Sequence, residues 1–158
     1  MKYVEELTKW FQKKIWIHER VINEAVRHNR GEIWYVNFGI NIGSEFSYSR
    51  PAMIFQKKEY TGWDTLFVIP ITKYIDDKVI LSCEMRIPQW LGWLSMDSIL
   101  KIGNMRTISK RRLGWRIWKI TDSKMLDIVD QKVIEFLGIK NAPDHKSQKL
   151  VCEETEVK

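Results

Sequence analysis

Side chains capable of acid–base, nucleophilic or metal chemistry are few in this chain, and their spacing argues against most uses of them. The histidines are His18, His28 and His145, the cysteines Cys83 and Cys152. His18 and His28 fall in or beside an N-terminal helical pattern and His145 in a polar tail, so two-histidine acid–base catalysis has no shared scaffold. The acidic pair Asp76-Asp77 cannot share an ion, because neighbours in an extended segment point opposite ways. Pro143-Asp144 followed by Glu156-Val157-Lys158 has the spacing of a metal-nuclease motif, but the tail around it is too polar to build the strands such a motif needs. Nothing near Cys83 would lower its pKa. No glycine-rich phosphate loop of the GxGxxG or GxxxxGKS type occurs. What remains is positive charge. Lys and Arg number 26 against 20 Asp and Glu, and from Ser98 to Thr121 there are seven bases and no acid. Charge alone leaves two readings open, an anionic partner or a solvated basic edge.

The elements that must position any site are legible from periodicity. At 158 residues the chain is one domain's worth. Folding at this length buries about 70% of the unfolded surface, so a core needs neither disulfide nor metal. With 44% apolar and 29% charged residues the composition is globular. No apolar run approaches the ~20 residues of a membrane span. Acids stand in Met1-Lys2-Tyr3-Val4-Glu5-Glu6, where a signal peptide would be apolar. A cytoplasmic protein with free thiols and no membrane attachment is expected. Val4, Leu7, Phe11, Ile15, His18, Ile22, Ala25 and Val26 recur at helical spacing. They predict one helix over about 4–27, with Trp10, Ile17 and Val21 widening a stripe that must lie against the barrel or a second subunit. Strands are predicted at 30–39 and at about 50–57, 65–70, 79–86, 98–102, 104–108 and 115–120, which suggests a small antiparallel barrel. After Thr121 and Asp122, both able to cap, Met125, Ile128, Val129, Val133, Phe136 and Leu137 define a second helix, and Gly138 stops it. The predicted fold class is α+β, mainly β. It comprises an N-terminal helical extension (1–28), a barrel domain with its C-terminal helix (29–138) and a polar tail expected to be disordered (139–158).

The stretch 30–72 is the informative one. Arg30-Gly31-Glu32-Ile33-Trp34-Tyr35-Val36 leads through Gly43-Ser44-Glu45-Phe46-Ser47-Tyr48-Ser49 to Arg50-Pro51-Ala52-Met53-Ile54, and later to Leu66-Phe67-Val68-Ile69-Pro70-Ile71-Thr72. This resembles the MazF/PemK family of toxin endoribonucleases. In that family a strand beginning R-G-D/E-[IV]-[WY] runs through a flexible G-S-E loop to R-P, and a third strand ends in threonine. A second block, Asp97-Ser98-Ile99-Leu100 through Met105-Arg106-Thr107-Ile108-Ser109-Lys110-Arg111-Arg112-Leu113, is similar to the family's D-S-[VI]-[IVL]-x-x-x-Q-[IV]-R-T-I-D-K-x-R-L. Asn104 stands where the family usually has Gln, Ser109 replaces an Asp, and the N-terminal helix is longer than the family core requires.

The resemblance implies a small SH3-like barrel of the MazF/PemK/CcdB kind and metal-independent, cofactor-free cleavage of single-stranded RNA. RNA's own 2′-OH attacks phosphorus, leaving 2′,3′-cyclic phosphate and 5′-OH ends, so the enzyme need supply only a proton acceptor, a donor and positive charge. Arg50 matches the family's R-P arginine, a planar fork suited to phosphate. Thr72 matches its catalytic threonine, a hydroxyl donor. The family also makes the arginine an acid–base catalyst, although a pKa above 12 suits an electrostatic role better. Glu45, on the loop, is the nearest candidate proton acceptor. Ser44, Tyr48, Lys73, Asn104 and Arg106 are the implied RNA contacts. The resemblance further implies a homodimer with RNA along an interface groove and a cognate antitoxin occupying that groove. A non-catalytic protein of the same barrel, binding RNA or, like CcdB toxins, DNA gyrase, is the alternative. Trp90 and Trp93 beside a predicted turn suit core or dimer packing better than base stacking.

Overall fold

The computed structural model describes residues 2–139 apart from 24, 77, 78 and 93. Asp77, Trp93, His145, Cys152 and the tail expected to be disordered, from 140 on, lie outside the described residues. In chain order the elements are α1 (Lys2–Glu19), β1 (Glu32–Asn37), β2 (Ser49–Ile54), β3 (Thr65–Lys73), β4 (Glu84–Ile87), a single helical turn α2 (Gln89–Gly92), β5 (Ser98–Lys101), β6 (Arg106–Ser109), β7 (Leu113–Lys119) and α3 (Ser123–Leu137). Short 3₁₀ turns occupy Lys58–Gly62, Ile102–Asn104 and Lys110–Arg112. The strand predicted from 79 begins only at Glu84, which leaves Cys83 in the preceding turn rather than in a strand. The strand predicted from 104 begins at Arg106, because Ile102–Asn104 close a 3₁₀ turn first. Among the described residues no helix is long and apolar enough to cross a membrane.

All the strand pairings are antiparallel, in the order β4-β5-β3-β2-β1-β7, with β6 also on β3. β3 is the hinge of this α+β, mainly β fold: its first half pairs with β6 and its last three residues with β5. Two-residue alternation separates the two cores. Ile33, Met53, Ile69 and Ile71 join one cluster with Met125, Val129 and Val133 of α3. Val36, Ala52, Ile54, Leu66 and Val68 pack in the other with Phe38, Ile108 and Leu113. α3 has the termini its sequence signals: Asp122 Oδ1 accepts from the Lys124 and Met125 amides, and Gly138, at φ +66, ends the helix. Trp90, expected in the core or a dimer contact, is 74% exposed and belongs to no core.

The N-terminal helix differs from expectation in length, and only part of its stripe meets the barrel. It stops at Glu19, eight residues short of the predicted end. The Arg111 guanidinium donates to the carbonyls of His18 and Arg20, which caps the helix C-terminus. Arg20 then donates to Leu113 O at 2.6 Å. Of the predicted stripe, Val4, Phe11 and Ile15 are exposed. Trp10 and Ile17, two turns apart at its edge, point inward: Ile17 is buried, and the Trp10 ring lies on Gly39 and under the Arg112 guanidinium. Gly39 is the receptor for that ring. Its φ is +89, and an added Cβ would overlap the indole. Gly39→Ala is therefore expected to displace α1, since backbone strain of about 1–2 kcal/mol adds to the collision. Hydrogen exchange of residues 2–19 should accelerate at least about tenfold, a local loss of roughly 1.4 kcal/mol, while β3 is nearly unchanged. Unchanged exchange in α1 would contradict this docking.

Candidate active site

Arg50 is the second residue of β2, paired with Val36 of β1. Its Nε donates to Ser47 O at 3.0 Å and its guanidinium lies 4.7 Å from the Phe46 ring centroid. Among the described residues these contacts use one edge of the fork, leaving the Nη groups for an anion. The loop before it is held by its own bonds. Phe38 N donates to Tyr48 O at 2.9 Å and Tyr48 N to Gly39 O at 2.5 Å, while the Asn41 amide spans Phe38 O and Phe46 O. Tyr48 takes φ +65, a conformation costly for a bulky residue. Its hydroxyl reaches Glu6 of α1 at 3.4 Å. Ser44, Glu45, Tyr48 and Arg50 line one cavity of about 460 Å³, which Tyr3 of α1 also reaches.

Thr72 lies near the end of β3, opposite Ile99 of β5, with the exposed Lys73 opposite Ser98. The β2–β3 ladder runs Ile54↔Val68, Met53↔Ile69, Ala52↔Pro70 and stops. Carried two residues further, that register sets Arg50 opposite Thr72. Alternation places Arg50 in the row of Ala52 and Ile54, and Thr72 in the row of Val68 and Pro70, so both share one face. Pro51 brings no N–H to extend the ladder and β3 turns to β5 here, so the pair flanks a seam rather than a continuous sheet. Thr72 and Lys73 are not among the residues lining the Arg50 cavity. Asn104 and Arg106 lie beyond β3 on its β6 side, the latter opposite Val68. Arg106 is close enough to Arg112 that its charge, after the larger effect of burial, lowers the Arg112 pKa.

Two features escape the sequence reading. Tyr35 and Trp115 stack across β1 and β7, centroids 4.5 Å apart and planes within 6°. Alternating aromatic and basic residues in β7 were the available signal. His28 is buried, its ring against Trp34 and its Nδ1 3.8 Å from Glu32. Burial, against the pull of Glu32, lowers its pKa. Glu32 accepts from Asn29 and Trp34, and these bonds outweigh burial to lower its pKa. Among the described residues no three His, Cys, Asp or Glu side chains gather as a metal site would.

A family model described as PemK-like, MazF-like toxin of type II toxin–antitoxin system matches residues 29–137. The chain is similar to an endoribonuclease MazF of Staphylococcus epidermidis, 29% identical over 119 residues that cover 75% of this chain and 98% of that one. It is similar in structure to MazF from Deinococcus radiodurans, with TM-score 0.59 and 20% identity over 72% of this chain and 99% of that one. It is also similar to an endoribonuclease in complex with its cognate antitoxin from a mycobacterial species, with TM-score 0.56 and 14% identity over 73% and 99%.

Proposed function

Because the chain belongs to the PemK-like, MazF-like toxin family of type II toxin–antitoxin systems, we propose that it is a cytoplasmic endoribonuclease that cuts single-stranded RNA at a short sequence without a metal. The observation that supports this reading is that Arg50 on β2 and Thr72 on β3 each stand two residues past the last pair of the β2–β3 ladder, Ala52↔Pro70. A phosphate held there meets a guanidinium from one strand and a hydroxyl from the other. The 2′-OH attacks phosphorus as its proton leaves, the bond from phosphorus to the 5′-oxygen breaks as that oxygen takes a proton from water, and the products are a 2′,3′-cyclic phosphate and a 5′-OH. Arg50 neutralises charge growing on the phosphoryl oxygens, and Thr72 donates a hydrogen bond to one of them. Glu45, on the wall of the Arg50 cavity, is the proposed acceptor of the 2′-OH proton. Ser44, Tyr48, Lys73, Asn104 and Arg106 contribute RNA contacts, and a homodimer restrained by a cognate antitoxin is the proposed assembly.

Cleavage of a long RNA is expected to proceed at full rate in EDTA and to leave cyclic phosphate ends, read by end-specific labelling. Activity abolished by EDTA and restored by Mg²⁺ would overturn the mechanism. An RNA bound but never cut would favour a non-catalytic protein of the same fold.

A further inference from the structure

We infer that α1 walls a second single-stranded RNA subsite, which runs from Arg50 to an aromatic platform at Tyr35 and Trp115; the inference rests on the ribonuclease reading above. The cavity at Arg50 adjoins one of about 370 Å³ through Tyr48, and that one adjoins a third of about 410 Å³ through Lys13, Asn37 and Ser49. Together they form a furrow between α1 and the β1–β2 side of the sheet. Its far end is lined by Lys13, Arg20, Arg111 and Arg112 with no acid, and by the rings of Trp16, Tyr35 and Trp115. Arg20 and Arg111 spend donors on backbone carbonyls but keep their positive charge.

Trp115 is 63% exposed although its ring is already stacked on Tyr35. The outer ring face is thus presented in a fixed orientation beside cations. A groove of bases with aromatic faces open to stacking suits unpaired nucleotides, because every base has a face to stack and every linkage a charge to neutralise. A duplex hides its base faces and fits less well. The wall belongs to residues before 29, outside the stretch matched by the family model. Val36 pairs with Arg50 and Tyr35 with Pro51, so the platform lies on the sheet face opposite the Arg50 side chain, and the cavities connect round the strand ends through Ile40 and Tyr48. The subsite accordingly takes nucleotides flanking the cut rather than those at it.

The test uses the full chain and 2′-O-methyl RNA, which cannot attack itself. Oligonucleotides of about 6 and about 20 nucleotides carry the same cut site, mapped on a long transcript, and binding is read by fluorescence anisotropy. The wild type should bind the longer one more tightly, with quenching of tryptophan emission. Trp115→Ala should weaken the longer one about 5- to 100-fold, the range expected for one stacked base, with the loss confined to that length. Trp115→Phe should restore most of it. Lys13→Ala should weaken the longer RNA less and flatten its salt dependence. Equal binding of both lengths by the wild type, or unchanged binding in Trp115→Ala, would overturn the furrow alone. Conversion of a dimer to monomer by Trp115→Ala in sedimentation would assign the platform to a second copy and overturn it too. Binding of neither RNA by the wild type would bring down the ribonuclease reading itself.

Discussion

Arg50→Ala is expected to slow single-turnover cleavage by about 10²- to 10³-fold, the usual effect of losing one preorganised donor to a developing oxyanion. The geometry makes the loss hard to compensate. Arg50 is held on one edge by Ser47 O and on one face by Phe46, so the rest of the fork is aimed before substrate arrives. No solvent cation takes up that fixed position. Arg50→Lys should recover little, since an ammonium cannot reproduce two parallel donors. Thr72→Ala should cost a comparable factor if the hydroxyl donates in the transition state, and Thr72→Ser should retain most activity. Affinity for a 2′-deoxy substrate should fall far less in each variant, because the interactions proposed strengthen as charge develops. Rates near wild type in both Arg50→Ala and Thr72→Ala would show that the chemistry lies elsewhere on the barrel.

Lys101→Met should be the most damaging single change to stability outside the apolar core. Glu84 and Lys101 face each other across β4 and β5, and the lysine Nζ donates to Glu84 Oε1. The Glu84 side chain is 2% exposed. Its other oxygen accepts from the Leu81 amide at 3.3 Å. Methionine keeps the bulk of the lysine stem but strands the carboxylate without its cation. Breaking a buried pair from one side costs about 3–5 kcal/mol. At 2–4 °C per kcal/mol for a domain of this size, the melting temperature should fall by about 6–20 °C. Replacing both, Glu84→Leu with Lys101→Met, should recover most of the loss, because the desolvation of both charges is removed together. A thermal melt of the three variants decides it. A drop below about 1 kcal/mol in Lys101→Met would mean that the pair behaves as an exposed one.

Some of this molecule was determined by the order of its residues alone. The alternation in residues 33–36, 52–54 and 66–69 divides the two cores, and the Asp122 cap and Gly138 stop delimit α3, because each depends on backbone geometry among near neighbours. Arg50-Pro51 and Thr72 were likewise readable as motif positions. That the β2–β3 ladder ends at Ala52↔Pro70, short of both residues, and that β3 then changes partner was not. Periodicity placed Trp10 and Ile17 within a wide apolar stripe on α1 but did not say which part of it meets the barrel. It orders apolar residues around a helix, but the face that buries is decided by what it meets, here a glycine at position 39 that admits the Trp10 ring. Its length was decided in the same way, by Arg111, more than ninety residues along, donating to carbonyls that local sequence would have kept in the helix. The furrow beside Arg50 follows from both decisions, because it exists only where α1, rotated and stopped in this manner, lies along the edge of the sheet.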